Sequence, residues 1–305
     1  MPYTSEEERW REYHVTPRYL AGSGTIGDPG FAPVADWPHH HLDDGDCQLV
    51  VTSPDHRIRI GWFGDDYDLW KISAAGDPVS APRWTAIANQ NTPSEIVAGL
   101  TSALARDYAD GNNRFLANSS MHWTDGVQPL FDAGWTRSAA ERGTVEIVAP
   151  DGHAGVLIDN RLYGAANGTW TLWAGPRGWG TRAEIVFTAR TPSHLISATA
   201  AAMADPSPVV RLRRQIHRDV EHLVSFAPVA PNVPAAEGAP TPLDARRAAV
   251  TAAVARAAHA QQADLRVRAA HSRTTTPAAR AGVATAVRPN TTAPTVGHSQ
   301  PRPRR

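Results

Sequence analysis

Thr92-Pro93-Ser94-Glu95 opens the run IVAGLTSALA, and 99 positions later Thr191-Pro192-Ser193-His194 opens LISATAAAMA. A phrase repeated at a fixed offset constrains architecture strongly, because each copy must be one folding unit and the two units must be alike. Both phrases read as helix starts, with Thr at the N-cap, Pro at the first helical position and apolar residues at helical spacing behind them. In the first copy Thr92 and Glu95 also have the spacing of a capping box.

The echo extends backwards from each helix. Ser53-Pro54-Asp55 answers to Ala149-Pro150-Asp151, Trp70 to Trp170 and Arg83 to Arg182, while Ala35-Asp36-Trp37 matches Ala133-Gly134-Trp135 loosely. Four strand-like runs precede the first helix, at 47–53, 57–63, 67–73 and 83–90. Four more precede the second, at 144–149, 154–159, 168–174 and 182–189. Short runs rich in Val, Ile, Thr and Trp, separated by Pro-Asp and Gly, form hairpins. The expected fold is therefore α+β: two tandem ββββα repeats, each a four-stranded antiparallel sheet carrying one helix, related by an approximate twofold.

The expected boundaries are a helix and Gly/Pro-rich lead-in over 1–30, the first repeat over 31–120 and the second over 121–206. An amphipathic helix is expected over 207–225, because Val209, Leu212, Ile216, Val220 and Leu223 recur at steps of three and four. A proline-rich linker follows over 226–242. Residues 243–305 form an Ala/Arg-rich tail, helix-prone at first and expected to be largely disordered.

Charge divides the chain. Residues 245–305 hold eleven arginines and one acid, a net +10, and the rest of the chain carries the compensating −10. Such asymmetry speaks to partners rather than to fold. The single cysteine, Cys47, leaves no intrachain disulfide and suits a reducing cytoplasm. MPYTSEEERW is polar and acidic, unlike a secretory leader, and no apolar run approaches the ~20 residues that span a bilayer. A cytoplasmic protein without membrane contact is expected.

Tyr19-Leu20-Ala21-Gly22-Ser23-Gly24, the Ser-Pro-Asp between the first two strands, Trp70, Trp84 and the Thr-Pro-Ser-Glu-Ile-Val helix start resemble the streptomycete domain of unknown function 317 family. The resemblance covers about residues 12–210 and departs in the second copy at Ala149, Ala183 and His194. It implies an actinobacterial cytoplasmic protein with tandem domains, often near plasmid or mobile-element genes. It implies no activity, cofactor or catalytic residue.

The local constellations point to plain structure. His39-His40-His41 and the run to Cys47 contain metal-ligand types, but consecutive loop residues rarely converge on one ion, and the second repeat lacks them. Asp65, Asp66 and Asp68 lack the distal glutamate of a calcium loop. Gly22-Ser23-Gly24 follows no strand, and Ser, His and Asp lack the strand–turn–helix setting of a nucleophile elbow. No enzyme, cofactor or metal is expected.

Two interaction classes remain. The first is a protein-interaction module, docking through the sheets or associating with itself through 209–223. The second is nucleic-acid binding. Trp62 and Trp173 are the tryptophans expected to be exposed for base stacking. Arg246, Arg247, Arg256, Arg266, Arg268, Arg273, Arg302, Arg304 and Arg305 would supply phosphate contacts from the tail. Residues 31–111, with five bases and twelve acids, would repel phosphates, so any nucleic-acid affinity is expected in the tail and the protein-partner reading is preferred.

Overall fold

The computed structural model describes residues 6–24, 28–41, 48–64, 67–139, 143–159, 170–178, 180–229 and 242–274. The chain divides into two units, Met1–Pro231 and Asn232–Arg305. In chain order the first unit contains α1 (Glu6–Arg9), β1 (Glu12–Thr16), α2 (Asp28–Phe31), β2 (His39–His41), β3 (Gln48–Thr52), β4 (Ile58–Phe63), β5 (Trp70–Ala74), β6 (Trp84–Ala88) and α3 (Ser94–Ala109). It continues with α4 (Thr124–Asp132), β7 (Thr136–Ser138), β8 (Thr144–Val148), β9 (Ala154–Asp159), β10 (Trp170–Ala174), β11 (Ala183–Phe187), α5 (Ser193–Ala204), β12 (Val209–Leu212), α6 (Arg218–Glu221) and β13 (Ser225–Pro228). The second unit carries α7 (Pro242–Thr274). Among the described residues no helix is long and apolar enough to cross a membrane.

The fold is α+β, and the expected pair of four-stranded sheets is one ten-stranded antiparallel sheet in the order β2-β3-β4-β5-β6-β11-β10-β9-β8-β7. Each repeat has a fifth, three-residue strand at its outer edge (β2 or β7) and a helix in front of it (α2 or α4), so each copy reads αβββββα rather than ββββα. Such short edge strands offer little backbone for further pairing. The repeats join where Ala88, Ile87 and Ala86 of β6 face Ile185, Val186 and Phe187 of β11. Ile87 and Val186 are 99 positions apart, the offset of the helix-start echo, so the sheet continues through a local twofold at that pair.

Alternation explains why the strands form a two-sided sheet. Trp84, Ala86 and Ala88 are buried on β6, and Trp170, Leu172 and Ala174 on β10, with half-exposed residues between them. The buried set faces α3 and α5, where Ile96, Val97, Leu100, Leu195, Ile196 and Met203 complete the core. Each such side chain contributes about 1.5–3 kcal/mol on burial. Gly30 and Gly126 serve matching purposes. A Cβ on Gly30 would lie 2.5 Å from the Trp70 ring, and one on Gly126 3.0 Å from the Trp170 ring, so each glycine lets the leading helix sit on the tryptophan of its own repeat.

The helix starts differ from the capping-box expectation. Pro93 and Pro192 occupy the N-cap position with extended backbone, and no side chain caps either helix. The Thr92 hydroxyl lies one residue too early and instead sits 3.1 Å from the Glu184 carbonyl of the other repeat. Glu95 turns away to Arg211, with contacts of 2.8 and 2.5 Å.

The helix expected over 207–225 is replaced by strand β12, a single 3-10 turn (Arg213–Gln215) and the four-residue α6. β12 and β13 flank β1 in a three-stranded sheet. The spacing of apolar residues suited a helix, but β1 supplies backbone partners for Val209–Leu212, and long-range pairing prevails. Val209, Ile216 and Val220 are buried, whereas Leu212 and Leu223 are half-buried. The start of the tail, expected to be helix-prone, is α7 from Pro242 to Thr274. Residues 275–305 and most of the expected linker, 230–241, lie outside the described residues.

The Pro-Asp turns show how the two copies diverge. Asp55 accepts hydrogen bonds from the Ser53 hydroxyl (2.6 Å) and from Arg57 Nε (2.6 Å). In the second copy Ala149 replaces the serine, and Asp151 accepts from the Tyr19 hydroxyl at 2.5 Å instead. Burial, and then this carboxylate, push the Tyr19 phenol well above its ordinary pKa. Burial of Asp55 opposes its ionisation, but the bonds from Ser53 and Arg57 prevail and hold its carboxyl below the ordinary value. Because its folded-state pKa lies below the unfolded value, ionised Asp55 stabilises the fold above about pH 4, and that contribution is lost as pH falls through the folded-state pKa. Asp55→Asn should therefore flatten the acid limb of the stability–pH curve measured by urea unfolding. An unchanged slope below about pH 4 would assign acid sensitivity to other groups.

Candidate interaction face

The helices α2–α5 pack on one face of the ten-stranded sheet, and on the opposite face the alternate residues of the inner strands are half-exposed or exposed. Registers across the nine strand pairs place one continuous row along the middle of this open face: His40, Val50, Gly61, Lys71 and Ile87 from the first repeat, then Val186, Thr171, Leu157, Glu146 and Ser138 from the second. Val50, Ile87, Val186, Thr171 and Leu157 are each half-exposed. The middle of the row is β-branched and uncharged, with Lys71 on one side and Glu146 on the other.

A parallel row carries Phe63 and Gln48 in the first repeat, and Glu184, Trp173 and Val148 in the second. Both aromatic rings carry a cation. Lys71 Nζ lies 4.7 Å from the Phe63 centroid, and Arg182 Cζ lies 3.9 Å from the Trp173 centroid. The Trp173 ring lies across Gly155, where a Cβ would come within 2.6 Å of it. A glycine is required there for the ring to lie flat on the sheet.

The two tryptophans expected to stack bases do not share a face. Trp62 has the parity of Ile58 and Ile60, points to the helix side and packs against the core, with its Nε1 buried and without a partner among the described residues. Trp173 does lie on the open face, half-exposed, but Arg182 already covers its ring. Of the tail arginines, Arg256 and Arg266 are exposed on α7, and Arg246, Arg247, Arg268 and Arg273 fall within its span. Arg302, Arg304 and Arg305 lie outside the described residues.

The histidine run is strand rather than loop: His39–His41 form β2, and residues 42–47, including Cys47, lie outside the described residues. His40 and His56 both contact the Thr52 hydroxyl, at 3.1 and 3.2 Å. Among the described residues no group of three or more His, Cys, Asp or Glu side chains could hold a metal ion.

Two residues that the sequence reading left out of any site stand out. Arg182 is one. The other is Arg211, whose buried guanidinium grips Glu95 at the start of α3 and lines a cavity of about 290 Å³ with Ser23, Gly24, Asp28 and Ser94. A hint of Arg182 was present in its echo with Arg83. Arg211 had none, since its partner lies 116 positions away.

A family model, SPDY, a domain of unknown function (DUF317), matches residues 52–109 and 148–209. Comparison with curated proteins and with solved structures returns no match.

Proposed function

Since the chain carries two SPDY domains in tandem, we propose that it is a non-catalytic interaction module that docks a protein partner on the open face of its shared sheet. The observation that carries this reading is the half-exposed, uncharged centre of the sheet face opposite α2–α5. Fusion through β6 and β11 makes one surface of two domains, and its centre offers Ile87, Val186, Thr85 and Thr171. These side chains pack well and carry no ionisable group, which suits docking rather than acid–base or nucleophilic chemistry. A protein partner fits better than a single strand of nucleic acid. Residues 31–111 are acid-rich, and Arg182 occupies the Trp173 ring that a base would need. The sole cysteine and the family resemblance make a cytoplasmic, plasmid-associated role the natural setting of this reading.

A second reading concerns the tail alone, and the concentration of eleven arginines against one acid in 245–305 favours it. Arginines without a reading surface neutralise phosphates and do not select bases, so the tail would tether nucleic acid without sequence preference. With about half of the arginines engaged on duplex DNA, the log–log salt slope would be about −5.

One experiment tests both. The full-length protein, a Val186→Arg variant and a truncation after Val229 are used for lysate capture with and without nuclease, and for anisotropy on single- and double-stranded oligonucleotides. A nuclease-resistant partner lost in Val186→Arg, with oligonucleotide binding lost in the truncation, is expected. Capture indifferent to Val186→Arg removes the open face from the reading, and oligonucleotide binding retained by the truncation removes the tail.

A further inference from the structure

Arg182 has a guanidinium whose buried Nε finds no hydrogen-bond acceptor among the described residues. Its side chain is 14% exposed, and the nearest carboxylate oxygen, Glu184 Oε1, stands 4.0 Å from Nε. Nε is buried and has no hydrogen-bond partner among the described residues. Leaving such a group unmet is costly, and the stack on Trp173 offsets only part of that. The first repeat supplies the comparison. Arg83, 99 positions earlier, donates to Asn118 Oδ1 at 2.6 Å, so the equivalent arginine there has its acceptor.

The surroundings define what would complete the second copy. Trp173, held flat by Gly155, fixes the plane of the guanidinium. Burial, with Arg177 close enough to add to it, destabilises the charge on Arg182, while Glu184 and Glu146 oppose that effect. A planar guanidinium of fixed orientation recognises a planar oxyanion through paired N–H donors.

We propose that Arg182, stacked on Trp173, is the receptor for a carboxylate side chain in an acidic segment of the protein partner. This rests on the reading of the open face as a docking surface. A carboxylate is favoured over a phosphodiester strand for two reasons. Glu184 and Glu146 tolerate one incoming charge far better than a chain of them, and with its ring covered Trp173 leaves no platform for a base. Tryptophan and arginine are also the residues in which interface energy concentrates.

The test uses the full-length protein and a hexaglutamate peptide, followed through the Trp173 indole N–H resonance, which Trp173→Phe identifies. That resonance reports the site itself, so peptide held by the arginine-rich tail does not count. A saturable shift is expected in the wild-type protein, with at least tenfold weaker apparent affinity in Arg182→Gln and partial retention in Arg182→Lys. Arg83→Gln should behave as wild type. Urea unfolding of each variant checks that the fold survives, which is expected because Arg182 Nε gives up no hydrogen bond among the described residues. No shift in the wild-type protein, or an equal shift in Arg182→Gln, overturns the receptor. A single-stranded oligonucleotide that shifts the same resonance with the same dependence on Arg182 would overturn it in favour of nucleic acid. Partner capture abolished by Val186→Arg but untouched by Arg182→Gln would overturn the receptor alone and leave the docking face standing.

Discussion

Glu95→Ala is expected to destabilise the repeat-bearing unit by about 3–5 kcal/mol, the cost of removing one partner from a buried ion pair. Arg211 is 6% exposed, and Glu95 takes two of its hydrogen bonds, leaving only the carbonyls of Val210 and Gly22. That pair ties three distant pieces together: the start of α3, the Gly22 turn and β12. The double variant Glu95→Leu/Arg211→Met should recover most of the loss, because apolar side chains of similar length need no acceptor. A double-mutant cycle in urea measures this. Near-additive losses would mean that the two residues act separately, and a cost below about 1 kcal/mol for Glu95→Ala would place the pair among weak surface contacts.

Gly99→Ala carries the second large effect, and its sign is the informative part. Alanine in the middle of a helix ordinarily gains about 1 kcal/mol over glycine. Here the added Cβ would lie 2.6 Å from Ala202 Cβ and 2.8 Å from the Ala198 carbonyl oxygen. Gly99 and Ala198 are equivalent positions of the two repeats, so α3 and α5 cross at the same local twofold that joins β6 to β11. The helices would have to separate, which opens the layer formed by Val97, Leu100 and Thr199. A net loss of about 2–3 kcal/mol is expected from overpacking, with the melting temperature lowered by about 5–10 °C. Gly76→Ala, where nothing lies within 4 Å of the added atom, is the control. A Gly99→Ala variant as stable as wild type would mean that the crossing is not close-packed.

The limits of reading the chain residue by residue show at the 209–223 segment and at the two tryptophans. Val209, Leu212 and Ile216 satisfy helical spacing, yet Val209–Leu212 form a strand because β1, nearly two hundred positions earlier, offers hydrogen bonds to their backbone. The side on which Trp62 lies follows from its parity with Ile60, which was legible. That Arg182 covers Trp173 was not, because it depends on the packing of a turn over a neighbouring strand. The edge strands β2 and β7 escaped notice for a similar reason. Three residues such as His39-His40-His41 carry no alternation, and only pairing with β3 makes them a strand.

The sequence by itself determined the two copies, the four inner strands and closing helix of each, and the charge division between body and tail. These rest on local periodicity and composition, which neighbouring residues enforce on one another. Only the tertiary structure decided that the two sheets are one, that α3 and α5 cross at Gly99, that Glu95 serves Arg211 rather than its own helix, and that Arg182 Nε has no acceptor among the described residues where Arg83 donates to Asn118. The first three are meetings of groups roughly ninety or more positions apart, and the last turns on a contact between Arg83 and Asn118, 35 positions apart, that Arg182 lacks among the described residues. Hydrogen bonding and close packing between such groups depend on where the chain returns in space, and no local pattern encodes that.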